Sequence, residues 1–241
     1  MNVEITKTPA ESRGVSAPMG WPTPRREAFG YICRRCSKCC HHKKIQVNPY
    51  EVARLAAKRG QSTGEFSAAW TVDGAGVTLR QTETGACVFL GPEGCTVHSD
   101  RPLVCRLYPL GRHVSPDGSE RFSRLEGHPQ SAGEITDRGT IGEYLKAQET
   151  DSFIVAADEY FMWLCAAVER MGEDAGTTRS EQPAQDAALA ADLIDMDTAI
   201  ARHCAATGAT EPQDIEHRKH MHLKILYRQI ADNPGDLHDR P

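Results

Sequence analysis

Apolar residues recur along this chain at two different periods, and the change from one to the other falls near Gln148. Upstream the runs are short and broken by turn residues. Asn48-Pro49 supplies an N-cap and a first-turn proline, Tyr50, Val52, Leu55 and Ala56 follow, and Gly60 offers a stop, which predicts a helix over Pro49–Arg59. Lys44–Val47 reads as a short strand before it and Ser62–Trp70 as a short turn after it. Thr71–Arg80 reads as two strands about a glycine-rich turn, without the following helix that a phosphate cradle needs. Cys87–Val97 has the pattern of a hairpin turning at Gly91-Pro92-Glu93-Gly94. A second hairpin is expected from Leu110–Val114 and Arg121–Leu125. Between them Arg101-Pro102 opens a short helix through Cys105, with Ser99 or Asp100 as its cap.

Downstream the period lengthens to that of helices. A helix is predicted from Asp151 or Ser152 to Met171, with Ile154, Ala157, Phe161, Leu164 and Val168 on one face. Gly172–Pro183 is polar and reads as a linker. Leu189, Leu193, Ile200 and Cys204 place a further helix over Gln185–Ala206, and Glu211-Pro212 opens a last one reaching about Ala231. The expected fold is α+β: a small cysteine-rich, metal-binding core of hairpins, loops and short helices, backed by a helical C-terminal layer. Residues 1–24 read as a loose arm, 25–148 as the cysteine-cluster domain and 149–241 as the helical region.

Composition narrows the setting. A chain of 241 residues with 39% hydrophobic content can bury a core without staples, and nine cysteines is an odd number. The N-terminus lacks the basic start and apolar run of a signal peptide, so a cytoplasmic, reducing location is expected. The longest apolar stretch, Phe153–Val168, is interrupted by Asp158 and Glu159, which argues against a membrane span. Net charge is −5, but Arg25–Gly60 holds ten Lys or Arg against Glu27 and Glu51. No aromatic residues interleave with those bases to stack on nucleotides, which argues against nucleic acid. Arg34, Arg35, Lys38, Lys43 and Lys44 are instead expected to offset thiolates.

Those thiolates are the candidate chemistry. Cys33, Cys36, Cys39 and Cys40, followed at once by His41 and His42, crowd soft donors into ten residues. CxxC spacing lets one turn aim two sulfurs at a single ion, and CxxCxxC also begins the cluster-binding run of bacterial ferredoxins. Cys87, Cys95 and Cys105 form a second group. Cys165 and Cys204 lie on apolar helix faces and read as core. His217, His220 and His222 read as solvated helix surface. Arg106 and Tyr108, beside a ligand, are expected to hydrogen-bond the sulfurs or to pack over the metal.

Seven ordered cysteines, with Arg101-Pro102 before the last and Arg106-Leu107-Tyr108-Pro109 after it, resemble the zinc- or iron-chelating cysteine-cluster family often called YkgJ-like. The likeness runs from about Cys33 to Gln148. It implies a small metal or iron–sulfur protein, with zinc or iron ions or an iron–sulfur cluster as the cofactor. Larger relatives such as flagellin lysine methylases imply an alternative, an iron-dependent enzyme acting on a protein or peptide substrate. A structural zinc protein mediating interactions is the third reading. Relatives tend to carry a further cysteine after the Tyr-Pro segment. This chain has none there, so the resemblance points to His128 as the stand-in, with His41, His42, His98 and His113 as rivals.

Spacing alone separates seven ligating cysteines from two packing ones. Cys36→Ser or Cys105→Ser should lower the metal bound per chain measured by elemental analysis, and Cys204→Ser should not; equal loss in all three would remove the distinction.

Overall fold

The computed structural model describes residues 24–173 and 182–231. The predicted arm, except Pro24, and most of the linker lie outside them. Helix α1, Pro49–Arg59, has the boundaries its sequence dictates. The Asn48 side chain accepts the Glu51 N–H at 3.0 Å, the Glu51 carboxylate accepts the Asn48 N–H at 2.8 Å, and Gly60 ends the helix in the left-handed region. Thr63–Trp70 forms a true helix, α2, where only a turn was expected, because Ser62 and Glu65 build a second capping box.

Residues 71–80 pair only as a short antiparallel turn rather than as two full strands. The Thr71–Leu79 bridge closes it, with main-chain bonds from Val72 to the Thr78 carbonyl and from Arg80 to the Trp70 carbonyl, both 2.8 Å. Arg80 donates to the Thr71 carbonyl at 2.7 Å and the Ala68 carbonyl at 3.0 Å, holding the segment as a loop with one tight turn at Val72–Gly74. The expected strand at Lys44–Val47 is likewise reduced to a bridge, Gln46 to Thr78, flanked by bonds from Val47 to the Val77 carbonyl and from Leu79 to the Ile45 carbonyl, both 2.9 Å. Leu90–Gly91 and Gly94–Cys95 form the miniature hairpin β2–β3, and Leu110–Val114 pairs antiparallel with Glu120–Arg124 as β4–β5. Helix α3, Leu103–Leu107, starts after Pro102 rather than at a Ser99 or Asp100 cap, since Asp100 is taken by Arg54 at 2.8 Å. A third ribbon joins Ala28–Ile32, β1, to Glu134–Thr140, β6, and the latter leads into α4 at Ile141–Ala147. Local patterning does not reveal a ribbon whose strands lie a hundred residues apart.

The C-terminal layer is helical, as expected. It contains α5, Asp151–Glu173, then Gln182–Ile194 (α6) and Met196–Thr207 (α7) where one helix was predicted, and α8, Ile215–Ile230. Asp195 breaks α6 from α7 by capping α7 and accepting the Thr63 hydroxyl at 2.6 Å. Helix α8 opens at an Asp214 cap, three residues later than the expected start at Glu211-Pro212. No described helix is long and apolar enough to cross a membrane.

Two hydrophobic clusters result. The larger packs Phe29, Tyr50, Leu110, Phe122 and Leu145 against Phe153, Trp163, Ile200 and Leu226, so it draws on both halves of the chain. The smaller, Ile45, Val47, Leu55, Phe66, Leu79, Phe89 and Val97, lies under the cysteine loops, with Cys87, Cys95 and Cys105 on its margin. Helix α1 serves both, through Tyr50 and Ala53 on one side and Val52, Leu55 and Ala56 on the other.

Two buried ionisable groups hold these layers in place. Glu51 is capped by its own helix start and also accepts the Leu103 N–H at the start of α3; burial pushes its carboxyl up to about 7. His222, expected on the solvated face, is instead fully buried. With Lys219, Leu223 and Leu226 it recurs at helical spacing on the inner face of α8. Its Nε2 lies 2.8 Å from the Asp192 carbonyl and must donate, so Nδ1 accepts from the Tyr160 hydroxyl at 2.8 Å. Burial lowers its pKa to about 4. His217 and His220 are exposed, as expected.

Their pH dependences oppose each other. Glu51, raised above its ordinary 4.5, contributes stability at low pH that is lost as pH rises through about 7. His222, lowered from 6.5, contributes stability at neutral pH that is lost as pH falls towards about 4. Each amounts to roughly 3 kcal/mol. Urea midpoints measured from pH 4.5 to 7.5 should therefore slope down towards acid more steeply in Glu51→Gln than in the parent. In His222→Gln the slope relative to the parent should reverse.

Candidate metal centre

The first cysteine loop is shaped by left-handed backbone at non-glycine positions, Arg35 (φ 52°), Ser37 (φ 57°) and His42 (φ 54°). These turns fold backbone N–H groups onto sulfur. Cys33 accepts from the Arg35 N–H at 3.4 Å, and Cys36 accepts from the Lys38 N–H. The second group repeats the arrangement, with the Phe89 N–H donating to Cys87 and the Val97 N–H to Cys95. Four cysteines thus receive a backbone donor from the residue two positions on, and at Cys36, Cys87 and Cys95 this contact favours thiolate over thiol.

Backbone pairing brings the two groups together. The Cys87 N–H donates to the Cys40 carbonyl at 2.8 Å, His41 bridges to Ala86, and the His42 N–H donates to the Gly85 carbonyl at 2.7 Å. Gly85 has φ 76°, and a Cβ there would lie 2.3 Å from His42 Nδ1, so only glycine allows this approach. Cys105 reaches the same place from α3, whose first amide is held by Glu51.

Five thiols consequently share one patch. Cys39 and Cys40 hydrogen-bond to each other, Cys40 also feels Cys105 and Cys95, and Cys105 feels Cys87, Cys95 and Cys39. The Cys40 thiol donates to Cys39, and with help from nearby Lys43 this brings the Cys39 pKa to about 6 while that of Cys40 rises. Desolvation, reinforced by neighbouring thiolates, pushes Cys87, Cys95 and Cys105 up. Among the described residues, no three Cys, His, Asp or Glu side chains stand as close together as a bound ion would hold them. The donors nevertheless suit zinc or iron in kind: soft sulfurs, partly shielded from water and supplied with amide donors.

Cys33 and Cys36 sit to one side. Cys36 Sγ lies 3.9 Å from Ser131 Oγ and accepts the Ala132 N–H at 3.5 Å, so the turn that follows His128 packs on this pair. His128 itself donates its N–H to the Tyr108 hydroxyl at 3.2 Å, and its Nδ1 accepts the Gln130 N–H at 3.1 Å.

Among the bases expected to offset thiolates, Lys43 leans in. Its ammonium stands 3.3 Å above the Tyr108 ring and interacts with Cys39, Cys105 and Cys40. Arg34 pairs with Glu134 at 2.9 Å. The Tyr108 ring therefore carries the ammonium that interacts with the thiols, whereas Arg106 bonds elsewhere. The Arg106 guanidinium is 1% exposed and donates to the carbonyls of Ser99, Arg101 (3.0 Å) and Gln148 (2.9 Å), with Phe153 stacked 4.0 Å away. Sequence reasoning also missed Glu51 and Ser131 as parts of the site. The capping motif Asn48-x-x-Glu51 signalled a helix start but not the second bond to α3. Cys204 is buried beside Met221, in keeping with a core role, and Cys165 lies half-buried on α5.

These features define a cysteine-rich α+β fold as the class. Residues 32–126, about two fifths of the chain, match the CxxCxxCC family model, described as "Putative zinc- or iron-chelating domain", in agreement with the resemblance. The match ends two residues short of His128. No curated protein and no solved structure matches the chain.

Arg106→Met should cost about 3 kcal/mol in stability, by orphaning three carbonyls, without changing the metal bound per folded chain. Chemical denaturation with elemental analysis of the folded fraction reads both quantities; a loss of metal at full stability would return Arg106 to the site.

Proposed function

We propose that this protein binds zinc or iron, as ions or as an iron–sulfur cluster, through Cys33, Cys36, Cys39, Cys40, Cys87, Cys95 and Cys105 and one imidazole, for which the sequence offers His128. The observation that carries the reading is the shared thiol patch. Ionising five sulfurs there creates mutual repulsion that Lys43, with Arg101 near Cys95, offsets only in part. A metal cation supplies the missing positive charge and, as iron in a cluster, exchanges electrons.

The chain's own residues prepare that binding. Amide donors hold Cys33, Cys36, Cys87 and Cys95 in orientation, and Cys39 is drawn towards thiolate by the Cys40 thiol and Lys43. Cys40 and Cys105 must release protons for the metal, so uptake acidifies the medium and weakens as pH falls. The Cys36 turn at Ser131–Ala132 and the Cys40–Cys87 pairing close the loops around the site.

Anaerobic purification followed by metal analysis and a visible spectrum tests the reading and names the metal: charge-transfer bands report iron–sulfur, and colourless stoichiometric zinc reports the other arm. Within residues 33–129, chelation should loosen the cysteine loops up to Val97 first, because they rest on the smaller core. Limited proteolysis of metal-free protein should cut between the two cysteine groups before it cuts α5. Identical cleavage with and without metal would count against a metal-braced fold.

A further inference from the structure

We infer that His41, rather than His128, supplies the imidazole ligand of this centre. The inference rests on the metal reading above and on the tautomer each ring is forced to adopt. A neutral imidazole has one N–H and one lone pair, and only the nitrogen with the lone pair can bind a metal. His41 Nδ1 lies 3.2 Å from the Ser37 carbonyl oxygen. A carbonyl only accepts, so Nδ1 carries the proton and Nε2 keeps its lone pair. This is the arrangement in which a backbone carbonyl orients a ligating histidine.

The other histidines near the cysteines are set differently. His128 Nδ1 accepts from the Gln130 N–H at 3.1 Å; an amide only donates, so the ring proton sits on Nε2 and neither nitrogen is free. His98 Nδ1 faces the Arg101 guanidinium at 3.3 Å, again a donor, with the same result. His113 Nε2 is engaged with the Ser123 hydroxyl at 2.9 Å on the β4–β5 ribbon. The His42 ring packs on Gly85.

Position agrees with tautomer. His41 adjoins Cys40, acts electrostatically on Cys39, and bridges to Ala86 next to Cys87. It therefore stands, half-exposed, where the backbone of the two cysteine groups meets, with its ring held by Ser37. His128 would have to release Gln130 and move its proton before it could ligate.

The test uses the full chain, stripped of metal and reloaded anaerobically with cobalt(II), which reports thiolate through charge-transfer absorbance and imidazole through outer-shell scattering in X-ray absorption. The parent should show thiolates plus one imidazole. In His41→Ala the imidazole signature should vanish and cobalt affinity should fall by at least about tenfold, while His128→Ala should resemble the parent. His41→Cys should restore affinity and add thiolate absorbance, a change that a merely structural histidine would not produce. Retention of the imidazole signature in His41→Ala, or its loss in His128→Ala, overturns the assignment, and so does an all-thiolate spectrum in the parent. The metal reading itself fails separately, if Cys36→Ser with Cys105→Ser binds as much cobalt as the parent.

Discussion

The buried guanidinium of Arg106 is the interaction on which the rest of this architecture hangs. A charge removed from water must be met by oriented dipoles. Here the carbonyls of Ser99 and Arg101 come from the turn before α3, and that of Gln148 comes from the junction between α4 and α5. One side chain thereby fixes the segment that carries Cys105 against the start of the helical layer. The Phe153 ring at the head of α5 covers its open face. Glu51 secures the same short helix from the other side, so a five-residue helix with little intrinsic stability is held by a cation on one flank and a carboxyl on the other.

That rigidity matters because the thiol patch opposes its own assembly. Cys87, Cys95 and Cys105 are pushed towards the neutral form by desolvation and by one another, and only Cys39 is drawn towards thiolate. The helical layer and the smaller core hold the sulfurs together at this cost. Cation–π contact with Tyr108 keeps Lys43 among them, and the Tyr108 carbonyl is itself fixed by the Tyr144 hydroxyl at 2.6 Å. The RPxxCRxYP segment thus divides its labour. Cysteine joins the thiol patch, tyrosine carries Lys43, and the second arginine faces away into the scaffold.

Legibility in the sequence followed the range of the interaction. Elements closed by near neighbours were readable: α1 through Asn48 and Gly60, the β4–β5 hairpin through its Pro-Asp-Gly turn, and the presence of C-terminal helices. The face expected on α5 was misplaced, since Leu164 and Val168 are exposed while Tyr160, Trp163 and Ala167 face inward. The cysteine spacing pointed to the family model that matches. What escaped depended on distant partners. The β1–β6 ribbon joins strands with no local signal, and the 71–80 glycines serve a loop held by Arg80 rather than a turn between two full strands. Asp195 splits a continuous apolar pattern because it also accepts from Thr63 across the fold. His222 looked like one of three surface histidines, and only the packing of α8 shows that it is the inward one. Arg106 adjoins a cysteine in sequence, but side chains of consecutive helical residues diverge by about 100°, so its neighbour's role was no guide to its own.

The backbone pairing of Cys40 with Cys87 has a consequence for how an ion arrives. Ligands 47 positions apart would ordinarily have to find each other by loop closure, a search whose entropic penalty falls on the ion's affinity. Here the Cys87 amide and the Cys40 carbonyl, with the His42–Gly85 bond beside them, set the register of the two loops through main-chain contacts alone. On the proposed metal reading, an incoming cation would meet two loops already set in register. Capture would then be a matter of drawing in the more exposed Cys33 and Cys36.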